Sequence, residues 1–317
     1  MIPPKRPPIP PFVAILFGIL AVSTASIFIR YAQKEAASLV IAAWRLSVAT
    51  LVLAPIAISR RRAELAALNR RDFLLALLSG VFLAVHFATW ITSLQYTSVA
   101  SSVVLVSTTP LWVALLSPFV LKESIGKAVL VGMVLALMGG VIVGISDTCV
   151  VSAGRLSCPS LAEFLHGQAF LGDILAVIGA IAAAGYLLIG RNLRARTSLI
   201  SYISLVYGMA ALVLVIIMFI AGLRPFGYPP QTYLWFILLG LVPQLLGHST
   251  FNWALGYLSA AYVAITLLGE PIGSTILAYL LLQEKPTLLK VIGGALILIG
   301  IYIASRSEVK KVPELLE

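Results

Sequence analysis

The 317-residue chain is short of charge: Asp, Glu, Lys and Arg make up 11% of it, and only 12 residues are acidic. Soluble domains carry about a quarter of their residues as charges, so a water-facing surface of the usual kind is excluded. Cysteine and histidine are equally scarce, at two and three. Cys149 and Cys158 have only His166 nearby as a further donor, and that spacing fits no standard zinc pattern. No Gly-rich phosphate loop, no pair of intramembrane aspartates and no Ser and His arrangement at catalytic spacing is present. ATP hydrolysis and the common enzyme constellations therefore have no residues to run on, and no metal or cofactor is expected. Ten-residue segments alternating polar and apolar are also missing, which excludes a β-barrel.

What is present is apolar, 60% of all residues. A helix needs roughly 20 apolar residues to cross a bilayer, and such windows recur along the whole chain. The reading is an all-α integral membrane protein of ten spans: Phe12 to Ile29, Leu39 to Ile58, Phe73 to Ser93, Val99 to Leu121, Gly126 to Ile145, Phe170 to Ile189, Tyr202 to Ala221, Tyr233 to Trp253, Ser259 to Leu282 and Leu288 to Ala304. The first follows "MIPPKRPPIPP" and is read as a retained helix, because no small-residue cleavage site ends it.

Loop cations orient these spans. "SRRRAELAALNRRD", "GRNLRART" and "SRSEVKK" fall with Lys5 and Arg6 on one side of a ten-span model. Basic loops stay cytoplasmic, so both termini are expected inside and the protein in the plasma, or inner, membrane. The net charge of +10 is mostly this topology signal. The cations are dispersed over short loops without an aromatic platform, so nucleic acid is not an expected partner. The longest loop, residues 146–169, lies outside in this topology, and its two cysteines form either a disulfide or two free thiols.

The chain repeats itself. "LQYTSVASSVVLVSTTPLWVALLSPFVLKE" (Leu94 to Glu123) lies over "LGYLSAAYVAITLLGEPIGSTILAYLLLQE" (Leu255 to Glu284) without a gap, pairing Tyr96 with Tyr257, Pro110 with Pro271 and Glu123 with Glu284. The register continues through Gly132 with Gly293 and Gly139 with Gly300. One unit is then five helices, residues 12–145 and again 170–305. Five is odd, so the second unit enters the bilayer from the opposite side. Such inverted repeats are typical of secondary transporters, which place the substrate near the midplane and alternate access by rocking one half against the other.

These residues resemble the EamA-like transporters of the drug/metabolite transporter superfamily across nearly the whole chain. The resemblance rests on "PLWVALLSPFVLKE" and "EPIGSTILAYLLLQE", each followed by a Gly-containing helix, and on "GDILAVIGAIAAAGYLLIGR". In the first helix the chain has "VSTASIFIR" where the family commonly carries a Trp-Gly-Ser-type motif. The resemblance implies a ten-helix permease, often an exporter, of amino acids or other small polar or amphipathic compounds. A channel or a non-transporting scaffold is the alternative.

The candidate site follows from the cost of charge in hydrocarbon, which makes each ionisable group at bilayer depth a functional candidate. Arg45 and Glu270 come out at similar depth from opposite ends of their helices, at 1.5 Å of rise per residue. Two readings stand side by side: an ion pair that fixes packing, or a cavity pair that holds a zwitterion or exchanges a proton. His86, Trp90, Gln244, His248 and Asn252 are the further substrate or proton candidates. Pro110 and Pro271 are read as helix-bending residues that free backbone carbonyls. Glu123 and Glu284 have a structural or gating role, and "GGVIVG" and "GGALILIG" suit close packing at the repeat interface or in a homodimer.

Overall fold

A computed structural model describes residues 9–120, 127–148, 150–152, 155–157, 167–258 and 260–309. Apart from a short hairpin, Val150–Ser152 with Arg155–Ser157, the regular structure among them is helical. In chain order the helices are α1 (Pro11–Ser23), α2 (Ala25–Ala32), α3 (Ser38–Ala66), α4 (Arg70–Tyr96), α5 (Val99–Val106), α6 (Thr109–Val120), α7 (Lys127–Thr148), α8 (Gln168–Arg194), α9 (Leu199–Ile220) and α10 (Pro230–Leu239). A wide π-helical stretch, Gly240–His248, joins α10 to α11 (Ser249–Ala254), and α12 (Ala260–Thr266), α13 (Gly269–Leu277) and α14 (Leu288–Val309) follow.

Seven helical stretches among the described residues are long and apolar enough to cross a membrane, counting α1 with α2, α5 with α6, and α10 through α11 as one each. Leu130–Val143, Gly269–Leu282 and Leu288–Gly300 are shorter apolar helices. Their outer faces carry bare hydrocarbon: Phe17, Leu51, Leu137, Ile220 and Leu246 are between 62% and 81% exposed. The polar residues turn inward, with Arg45, Ser79, Gln244 and Asn252 fully buried. That inversion of the soluble pattern is what a bilayer solvent requires.

Several predicted spans are broken or lengthened in the structure. The first is interrupted at Thr24, whose hydroxyl turns back to the Ala21 carbonyl at 2.7 Å. The fourth and ninth are interrupted at Ser107–Thr108 and Leu267–Leu268, each just before a helix that holds Pro110 or Pro271 in its first turn, where a proline's missing N–H costs nothing. The helix of the second span runs on past Ile58 to Ala66, because "SRRRAELA" is built of good helix formers that need no bilayer around them.

Packing is close where glycines meet. A Cβ on Gly139 of α7 would stand 2.5 Å from the Gly293 carbonyl of α14, and one on Gly300 would stand 2.5 Å from the Gly132 carbonyl. The two helices are thus antiparallel with backbones in contact, and the glycine runs serve an interface inside the chain. Elsewhere α4 packs along α8, α3 along α9 and α1 against the π-helical stretch. Cys149, Cys158, His166 and Glu123 fall outside the described residues.

Candidate substrate cavity

The site is assembled at the places where helices lose their regular hydrogen bonding. Pro243 lies inside the π-helical stretch, whose wider turn carries both Gln244 and His248. The breaks at Ser107–Thr108 and Leu267–Leu268 face the same space. Between them lies a small cavity of about 50 Å³, room for a few water molecules. Its walls come from α4 (His86, Trp90), the α5–α6 break (Val106, Ser107, Thr109, Pro110), α8 (Ala183, Tyr186, Leu187), the His248 and Phe251 turns, and α12–α13 (Ala264, Leu267, Glu270).

Five residues singled out from the sequence, His86, Trp90, His248, Glu270 and Pro110, therefore line one cavity, while Pro271 is buried on the far side of its helix against a second, lipid-side crevice. Arg45, Gln244 and Asn252 are not on the cavity wall but directly behind it. Arg45 is fully buried, donates Nε–H to Gln244 Oε1 at 2.8 Å, and holds its guanidinium 4.0 Å from the centre of the Phe87 ring. Its Nη1 and Nη2, with Gln244 Nε2 and Trp90 Nε1, are buried without hydrogen-bond partners among the described residues. Asn252 gives its amide N–H to the His248 carbonyl (2.9 Å) and to Tyr207 Oη (3.2 Å), and accepts from Tyr186 Oη at 2.7 Å.

The direct contact between Arg45 and Glu270 does not form. Among the described residues the ion pairs within 4.0 Å are Arg30–Glu284, Arg61–Glu64 and Arg196–Asp72. Phe87 covers one face of the guanidinium and Gln244 takes its Nε–H, while Nη1 and Nη2 stay unpaired among the described residues and Arg45 acts on Glu270 through space, without contact. Glu270 is left half-buried at the cavity, with no side-chain hydrogen bond among the described residues.

On the cavity wall, His86 Nδ1 lies 2.9 Å from the Gly179 carbonyl and so carries the proton, leaving Nε2 as an acceptor. Its ring stacks on Trp90 at 15° with centroids 5.8 Å apart, and stands 6.3 Å from that of His248. Tyr186, Tyr207, Phe87 and Thr109 are participants that sequence reasoning missed. Tyr186 sits in the quoted "GYLLIGR", where a phenol within an apolar run was a usable signal; Phe87 gave none.

At one end of the bundle, Glu284 joins Arg30 at 2.7 Å and accepts from the Val99 backbone N–H at 2.9 Å, while Arg30 Nη1 donates to the Leu94 carbonyl at 2.7 Å. At the other, Arg191 Nη1 donates to the Leu255 carbonyl at 2.9 Å.

An apolar helical bundle with a buried, partly polar cavity at broken helices is the build of a membrane transporter for small molecules. The chain belongs to the EamA-like transporter family, whose model matches residues 10–145 and again 170–306. It is similar to an uncharacterized transporter of Archaeoglobus fulgidus, 23% identical over 73% of this chain and 74% of that one. The pseudopaline exporter CntI of Pseudomonas aeruginosa is 24% identical over 93% of this chain and 96% of its own length. A solved crystal structure, 17% identical, shares the fold with a TM-score of 0.63 over 92% of this chain and 96% of that one.

Proposed function

We propose that this protein is a secondary transporter that exports a small polar or amphipathic metabolite, amino acids among them, by alternating access through the cavity at Glu270. The observation that carries the reading is a carboxylate with no side-chain hydrogen bond among the described residues, on the wall of a cavity where broken helices meet. The exporter name of the Pseudomonas relative supports the direction.

In this reading the chain crosses the plasma membrane ten times, as two inverted five-helix units, residues 12–145 and 170–305, around an external loop. One shift of 161 residues, the spacing of Pro110 and Pro271, supports it. Gly18 opposes Thr250 and Phe251, and Gly179, 161 residues on, opposes Thr89 and Trp90, their mates under the same shift. Arg30 meets the Leu94 carbonyl as Arg191 meets that of Leu255. Gly139 against Gly293 and Gly132 against Gly300 are the exchanged contacts that a two-fold axis between α7 and α14 produces.

Counterflow from vesicles preloaded with candidate metabolites tests the transport reading. A carrier saturates and exchanges label against the preloaded pool; non-saturating flux would make it a channel, and no flux of any kind a scaffold. The orientation has its own test. A cysteine placed at Arg62, in a chain freed of Cys149 and Cys158, stays unlabelled by a membrane-impermeant reagent in intact cells if both termini are cytoplasmic. Labelling there would invert the model.

A further inference from the structure

The cavity wall is one-sided in its chemistry. Among the described residues its single formal charge is the Glu270 carboxylate. His86 presents Nε2 as a lone-pair acceptor, since Nδ1–H is spent on Gly179. Thr109 spends its hydroxyl hydrogen on the Val106 carbonyl at 2.8 Å and Tyr186 on Asn252 at 2.7 Å, so neither has a hydroxyl hydrogen left to donate to a ligand. The indole donor of Trp90 is buried away from the free space. Only Ser107 and His248 offer donors, and both are neutral or self-accepting groups.

No cation among the described residues lines the cavity. Arg45, the one basic group nearby, is fully buried behind Phe87 and holds Gln244. A substrate carboxylate entering here would meet Glu270 as a like charge and no cation on the wall among the described residues, with Arg45 acting only from behind Phe87. A protonated amine meets the reverse: a carboxylate for a charge-assisted hydrogen bond, neutral acceptors around it, and aromatic faces that attract cations.

We infer that this cavity selects organic cations, compounds with a protonated amine on an apolar or aromatic body, over zwitterions such as free amino acids. The inference rests on the cavity being the transport site and narrows the substrate class proposed above. Glu270 receives the ammonium, and the apolar side chains of Val106, Leu187 and Leu267 receive the body. Arg45 stays behind the wall and makes no contact with the ligand.

The test is a series with one body and four charge states, phenethylamine, phenylalanine, 3-phenylpropanoate and 2-phenylethanol, titrated at neutral pH into the full-length protein in nanodiscs and followed by calorimetry. Phenethylamine binds at least about tenfold more tightly than phenylalanine, the scale of one charged hydrogen bond, and 3-phenylpropanoate binds weakest. Glu270→Gln brings phenethylamine down to the level of 2-phenylethanol. Equal or tighter binding of phenylalanine, or no binding of the amine, overturns the inference on the wild-type protein alone, whatever the variant's stability. Counterflow with the same compounds separates the two readings. Flux of phenylalanine without phenethylamine sinks the amine selectivity and leaves the transporter, while tight amine binding with no flux of any compound sinks the transporter and leaves the site.

Discussion

Thr109 and Glu270 occupy the same place in the two halves, one residue before Pro110 and Pro271, and both line the cavity. They do opposite things. Thr109 turns its hydroxyl back to the carbonyls of Val106, at 2.8 Å, and Ala180, at 3.3 Å, and is buried. The Glu270 side chain makes no hydrogen bond among the described residues and stays open to the cavity. The mates Phe87 and His248 differ in the same manner: Phe87 touches Arg45 and His248 faces the cavity, and their rings meet at 5.2 Å, whereas the mates Trp90 and Phe251 both line it. Duplication supplies a scaffold with a near-symmetric hollow, and single-residue divergence makes that hollow chemically one-sided. A symmetric site would hold the same charge twice and repel itself across a few ångströms.

The comparison breaks most readily at Glu270. Replacing it with Gln keeps the shape and removes the charge, and transport of the amine probe in counterflow is expected to fall by at least about tenfold while the protein unfolds as the wild type does. Full flux in a stable Glu270→Gln protein would make the two halves functionally equivalent and the asymmetry incidental.

The next effect is on stability and tests the two-fold relation. Gly139→Ala and Gly300→Ala each push a methyl to within 2.5 Å of a carbonyl oxygen on the facing helix, and each is expected to cost about 1–3 kcal/mol. Gly294→Ala, whose nearest neighbour is Val104 at 3.6 Å, is expected to be neutral or slightly stabilising through helix propensity. Chemical unfolding in detergent measures all three. A large loss at Gly294 with none at Gly139 would contradict the packing.

Smallest is Thr109→Val. Its hydroxyl serves its own backbone, so flux should stay within about twofold of wild type, less than the discrimination a hydrogen bond to a buried polar group provides. A loss as deep as that of Glu270→Gln would give Thr109 a direct part in substrate binding and remove the distinction drawn here.

The ends of the bundle show how far the repeat can be followed. Arg30 and Arg191 reach equivalent carbonyls, Leu94 and Leu255. Arg30 also holds Glu284, with the pair about a quarter to a third exposed. The sequence register pairs Glu284 with Glu123 and so announces this end-of-helix role without naming the partner, because an arginine 254 positions away carries no local signal.

The sequence by itself determined that this chain lives in a bilayer, that it is helical and that Glu270 is set apart. A composition so poor in charge can be solvated only by lipid, and a carboxylate there must find water, a partner or a ligand. It also led to His86, Trp90 and His248, since polar or ring-bearing side chains in apolar runs are costly enough to notice. Only the tertiary structure decided which of these share a cavity. Arg45 and Glu270 have equal claims in one dimension, and depth along the helix is the same for a residue facing the hollow and one facing a neighbour. The angle around the helix decides, and that angle is fixed by packing: Phe87 and Gln244 claim the guanidinium, the wide turn at Pro243 swings Gln244 and His248 to their places, and the break before Pro271 leaves Glu270 at the cavity.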